Sequence, residues 1–153
     1  MRHLIYITLC LFGLATTAQS TILINNVVIF NGKDEKTITG NVLVVNNLIQ
    51  KISTSPIPTN KSGNTVIIDG KGKFLMPGLI DAHWHAILTA STMNELMYAE
   101  PGYVFIKAGD EAANTLMRGF TSVRDLGGPS FGLKKAIDDG VIDGPRIWPS
   151  GSI

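Results

Sequence analysis

The chain has 153 residues, 44% of them hydrophobic and 16% charged, with a formal net charge of +1. That composition excludes a disordered segment, and the lack of any block of Lys and Arg excludes the basic face a nucleic-acid binder needs. The length suffices for one ordinary domain or two small ones.

Residues 1–18 are expected to lie outside the fold. A basic start "MRH", the apolar stretch "LIYITLCLFGLA" and the small-residue run "TTAQS" match a secretory signal peptide cleaved after Ala18. The stretch is too short for a stable membrane span, so the expected location is secreted or periplasmic. Leu9 stands before Cys10 where a lipidation site takes a small residue, so no lipid anchor is expected. Cleavage would remove Arg2, His3 and Cys10. Twelve basic residues then balance twelve acidic ones, no cysteine is left for a disulfide or a thiolate ligand, and His83 and His85 are the remaining imidazoles.

Residues 19–75 read as β structure. "TILINNVVIF" and "NVLVV" are rich in β-branched residues, and Asn31-Gly32 and Asn46-Asn47 are turn dipeptides. "VVNNLIQKI" predicts a tight hairpin, because asparagine tolerates positive φ. "STSPIPTNKSGN" is a polar loop whose Asn60-Lys61-Ser62 matches a glycosylation acceptor, and "TVIID" is a further strand. Together these predict a small antiparallel, sandwich-like sheet, too thin to be stable alone.

After Met76 the pattern changes. "LIDAHWH" is a short strand. "YVFIKAGDEAANTLMRG" repeats apolar residues at Phe105, Ala108, Ala112 and Leu116, widened by Ile106, Ala113 and Met117, which predicts a helix ended by Gly119. "FTSVRD" is a second strand, "FGLKKAIDDG" a shorter helix, and "PRIWPSG" begins a third strand. Alternating strands and helices predict a parallel α/β unit. An eight-fold barrel needs roughly 200 residues or more, and 77 of the 153 residues follow Met76. The expected fold class is therefore α/β: a small N-terminal β-sandwich-like sheet, then the first strands and helices of a (β/α)8 TIM-type barrel, truncated near strand 3.

In an extended strand, residues i and i+2 share a face, so His83 and His85 would project together with Cα atoms roughly 6.5 Å apart, close enough to share one ion. Trp84 would face the helices. Asp81 has the histidines' parity and is a candidate acceptor for an imidazole N–H. Two nitrogens do not complete a catalytic zinc site, which takes three protein ligands. Arg124 and Asp125, at the end of the second strand of this unit, have two readings: a contact to substrate or a site-shaping ion pair, and a pair that merely orders the loop. Glu95 and Glu100, in the loop after the first of these strands, could line a substrate mouth, while Lys107, Lys134 and Lys135 read as solvated surface charges.

"FLMPGLIDAHWH", following "VIIDGKGK", resembles the metal-dependent amidohydrolase superfamily, and "GFTSVRDLGG" and "GPRIWPSG" resemble its imidazolonepropionase-like and Xaa-Pro-dipeptidase-like branch. The resemblance covers the chain from Ile22 onward and implies that residues 19–75 are the composite, urease-like subdomain and residues 76–153 the start of the barrel. It implies that His83 and His85 are metal ligands from barrel strand 1, with Asp81, Arg124 and Asp125 shaping the site. The family's other ligands, a carboxylated Lys or a Glu on strand 4, histidines on strands 5 and 6 and an Asp on strand 8, are expected beyond Ile153. No catalytic residue is assigned within the chain. The implied cofactor is a divalent metal, zinc, as one or two ions. The implied reaction is hydrolysis of a C–N bond in a small-molecule amide, cyclic amide or Xaa-Pro dipeptide by a metal-activated water. No nucleic-acid partner is expected, an oligomer is left open, and the 153 residues alone are expected to be inactive. Two other readings stay open: a small secreted β-rich binding module or degenerate fragment, and a metal scavenger.

Overall fold

The computed structural model of this chain describes residues 20–60 and 64–151. The expected leader, and Lys61 and Ser62 of the glycosylation pattern, lie outside the described residues. Two compact units divide between Met76 and Pro77.

The first unit is one five-stranded sheet. Its strands are β1 (Thr21–Ile29), β2 (Ile38–Val45), β3 (Leu48–Ser53), β4 (Thr65–Asp69) and β5 (Phe74–Leu75), in the order β3-β2-β1-β4, with β5 also on β1. β2 runs antiparallel to both β1 and β3, and Asn46 takes φ 55° in the two-residue turn where the hairpin was predicted. β4 and β5, however, run parallel to β1, pairing Thr21 with Thr65 and Val28 with Phe74. The sheet is therefore mixed rather than antiparallel. Among the described residues of this unit it has no second sheet facing it, as a sandwich would. A tight turn fixes the direction of the next strand, whereas the long connection before β4 leaves it free. Val27, Ile29 and Val42 are buried, with Ile24, Val44 and Leu75 packed against them.

The second unit is a parallel sheet, β6 (Leu79–Trp84), β7 (Phe120–Asp125) and β8 (Arg146–Pro149), in that order. Its helices are α1 (Met93–Tyr98), α2 (Pro101–Met117) and α3 (Phe131–Asp138). Trp84, Val123 and Ile147 from the strands close one core with Val104, Ala108 and Ala112 of α2 and Leu133 of α3. Proline at its start and Gly119 at φ 97° just past its end delimit α2. The buried stripe of α2 is Val104, Ala108, Ala112 and Thr115. It is turned by about one residue from the predicted stripe, leaving Phe105 42% and Ile106 74% exposed. Two alanines let the helix axis approach the sheet closely, and the bulky side chains do not fit along that line of contact.

α1 was not foreseen. Thr92 accepts a hydrogen bond from the Glu95 N–H at 3.2 Å, and the Glu95 carboxylate accepts from the Thr92 N–H at 2.8 Å, a reciprocal cap that starts a six-residue helix. The same carboxylate takes both contacts from Lys107 Nζ at 2.9 Å. Glu100 caps α2 by accepting from the Tyr103 N–H. Both acids expected at a substrate mouth therefore serve helix starts, and Lys107 is paired rather than free. Lys134 and Lys135 pair with Asp138 and Asp139 one turn on, at the surface of α3.

The Thr92 N–H and Lys107 hold the Glu95 carboxyl down to about 2 from an ordinary 4.5. A lowered carboxyl contributes stability above its unfolded value and loses it as pH falls toward the folded one. Glu95→Gln should therefore remove a component of stability that in the parent chain declines between pH 4.5 and 2. Urea midpoints of the two proteins, well separated at pH 6 in low salt, are expected to converge at pH 2 and to approach each other at high ionic strength.

Candidate functional site

The end of β6 carries the two histidines. Asp81 of β6 pairs with Val123 of β7, and Trp84 with Asp125, so three steps on one strand match two on the other. This irregularity falls on Ala82 and His83 and breaks the two-residue alternation. Asp81 is thereby separated from the histidines' face. Its Oδ1 accepts from the backbone N–H of His83 at 2.9 Å, at the place where the ladder skips. Asp81 thus fixes the bulge that carries His83, and the expected bond to an imidazole is replaced by one to the backbone.

The imidazoles do come together. Their ring centroids are 5.3 Å apart, with the planes edge-on at 72°. His83 is exposed and His85 half-buried, and His85 Nδ1 is buried without a hydrogen-bond partner. A buried ring nitrogen that finds no protein partner, beside a second imidazole, fits a pair of nitrogen ligands to a divalent ion. Among the described residues no group of three or more His, Cys, Asp or Glu side chains could hold a metal.

The backbone around His85 is tied on every side. The Trp84 carbonyl accepts from the Leu126 N–H at 2.9 Å. The His85 carbonyl accepts from the Thr89 N–H at 3.0 Å and from its hydroxyl at 2.9 Å. The Ala86 N–H donates to Asp125 Oδ1 at 3.2 Å, and the Ser130 hydroxyl donates to Asp125 Oδ2. Asp125 and Ser130 have no exposed surface. One carboxylate therefore joins the loop after β6, the end of β7 and the start of α3. Arg124 is its neighbour in sequence only. Residues Val123 and Asp125 are buried while Arg124 is exposed, and no ion pair between Arg124 and Asp125 occurs among the described residues. Neither form of the expected Arg–Asp pair is made.

Sequence reasoning missed Ser130 and Thr89. A serine before a helix reads as an N-cap, and Ser130 occupies that position. It makes no cap bond, because its hydroxyl turns to Asp125. Thr89 carries no local signal at all.

A family model described as the amidohydrolase family matches residues 74–153. The 5'-deoxyadenosine deaminase of Methanobrevibacter smithii is 39% identical over 71 residues, which are 46% of this chain and 16% of that protein. The imidazolonepropionase of Treponema denticola is 35% identical over 74 residues, 48% of this chain and 18% of that protein. Among solved structures, an amidohydrolase superposes with a TM-score of 0.74 at 34% identity, over 87% of this chain and 32% of that one. A prolidase complexed with N-methylphosphonate-L-proline superposes with a TM-score of 0.75 at 29% identity, over 86% of this chain and 32% of that one. The matched stretches are under a fifth of these two curated relatives, and the chain spans about a third of the solved structures.

Removing the Asp125 carboxylate would leave two buried donors unsatisfied. Asp125→Ala is expected to cost on the order of 3 kcal/mol in chemical unfolding. Asp125→Asn should cost less than half as much, since its amide oxygen can accept from Ala86 and the Ser130 hydroxyl can turn to accept from its NH2. Equal losses in the two variants would show that the hydrogen bonds are not what Asp125 contributes.

Proposed function

This chain belongs to the amidohydrolase family, and from that premise we propose that in the whole protein it supplies part of the active site of a metal-dependent hydrolase acting on a carbon–nitrogen bond. The observation that carries the reading is the imidazole pair at the end of β6, 5.3 Å between centroids, with one buried ring nitrogen left unpartnered. The names of the relatives, a deaminase, an imidazolonepropionase and a prolidase, support a small-molecule substrate: an amide, a cyclic amide or an Xaa-Pro dipeptide. The basic start and apolar stretch of residues 1–18 support export.

His83 and His85 would hold the ion through neutral ring nitrogens. A divalent ion, zinc in this reading and one or two in number, supplies Lewis acidity toward water and toward a carbonyl oxygen. What these residues contribute is position. The Asp81 carboxylate sets the bulge that aims His83, and the Trp84, Ala86 and Thr89 contacts leave His85 little freedom to turn. An ion site gains affinity when its ligands are placed before the ion arrives.

In the protein at its relatives' length, hydrolysis of a dipeptide or cyclic amide should be abolished by a chelator and restored by zinc. His83→Asn and His85→Asn should each lower kcat/KM by about 100-fold or more, since even mispositioning a ligand costs 10–100-fold, and bound metal measured by emission spectroscopy should fall with it. The 153 residues alone should show no turnover. Full activity in the His83→Asn, His85→Asn double variant would overturn the assignment.

A further inference from the structure

Resting on the hydrolase reading above, we propose that Arg124 binds a carboxylate of the substrate, its guanidinium standing on the open face of the β6–β7–β8 sheet beside His83, with Trp148 next to it.

The register places it there. Val123 pairs with Asp81 and Asp125 with Trp84, so the one residue of β7 left opposite the bulged Ala82–His83 stretch is Arg124. Val123 and Asp125 turn into the core, and alternation puts Arg124 on the other face, exposed. Across to β8, Arg124 pairs with Trp148, which is 53% exposed. Arg146 lies 5.9 Å over that indole ring. Two guanidiniums and an aromatic plane therefore share this sheet face, Arg124 on the strand next to the imidazoles and Arg146 with Trp148 on the strand beyond it.

The charges on this face are uncompensated. The second unit has four other cations, and each has a carboxylate: Lys107 has Glu95, Arg118 has Glu111, and Lys134 and Lys135 have Asp138 and Asp139. Among the described residues, Arg124 and Arg146 have none. The acid adjacent to Arg124 in sequence, Asp125, is turned inward and consumed by Ala86 and Ser130. On neighbouring strands Arg124 and Arg146 are diagonal to one another, so the face carries two positive charges. A guanidinium presents two parallel N–H groups that match a carboxylate edge, and the indole offers apolar surface to the carbon next to it. Adjacent strands are about 4.8 Å apart, comparable to the reach of one extended residue, ~3.5 Å. The class of substrate that presents a scissile amide to one strand and a carboxylate to its neighbour is a small one, a dipeptide or an N-acyl amino acid.

The test uses the full-length, zinc-loaded protein with N-acetylglycine and its uncharged analogue N-acetylglycinamide as probes, and a dipeptide with its C-terminal amide as substrates. Calorimetry should show the acid binding more tightly than the amide, and Arg124→Met should remove that preference. In turnover, Arg124→Met should raise KM for the dipeptide by about 10- to 100-fold, the worth of one charge-assisted hydrogen-bonded pair, and leave kcat and the dipeptide amide within about twofold. Zinc content and circular dichroism should be unchanged, and Arg124→Gln replaces the variant if Met does not fold. Equal binding of acid and amide by the parent protein, or a preference that survives in Arg124→Met, would overturn the proposal. Calorimetry decides this even if no substrate is turned over, an outcome that would defeat the hydrolase reading alone.

Discussion

A carboxylate with no access to water must be satisfied by the chain around it, and at Asp125 that requirement organises the second unit. The two partners of Asp125 come from different elements: the N–H of Ala86, just past β6, and the hydroxyl of Ser130, at the start of α3. Because buried unsatisfied donors and acceptors are costly, the three segments are fixed together or not at all. The consequence falls on His85, whose flanking residues Trp84 and Ala86 are both buried and both hydrogen-bonded at their backbones. A half-buried imidazole between two immobilised neighbours has its direction decided by the fold, as a metal ligand requires.

His83 is positioned by a different device. Its side chain is exposed and touches the His85 ring, so the work passes to the backbone, where Asp81 receives the N–H at the bulge. One imidazole set by core packing and one by a local carboxylate is a workable division at a strand end, where burial runs out. The same bulge widens the span of β6 that faces Arg124. The irregularity that sets His83 is therefore also the stretch of β6 that stands opposite Arg124.

Much of this was legible in local sequence. The β-branched runs became β1, β2 and β4, Asn46 made the hairpin turn, and the alternation after Met76 became three parallel strands with helices between them. The pairing of His83 with His85 followed from spacing, since rings two residues apart meet even across an irregular step. What failed shares a cause. The parallel pairing of β4 and β5 on β1, the inward face of α2 and the bulge at Ala82–His83 are set by partners distant in sequence, which periodicity does not see. The parity argument for Asp81 assumed an unbroken pleat. The Arg124–Asp125 pair is a different failure, because the same period-two rule already places adjacent strand residues on opposite faces. Thr92-Met93-Asn94-Glu95 was also open to reading as a capping box. It went unread because α1 buries none of its residues and so lacks an apolar stripe.

The contact between Ala86 and Asp125 has a consequence in time as well as in space. It joins residues 39 positions apart, whereas β2 and β3 meet across the two asparagines of a hairpin. A hairpin forms in about 1–10 μs, while a pairing that must first close a long loop is slower. Topology therefore favours the β2–β3 hairpin over the parallel pairing of β6 with β7 as the earlier event. In a chain emerging from synthesis, both histidines are made well before Asp125, which anchors the residue after His85. Until β7 arrives the two imidazoles stand on an unpaired strand, without the neighbour that fixes the backbone around His85 in the folded chain.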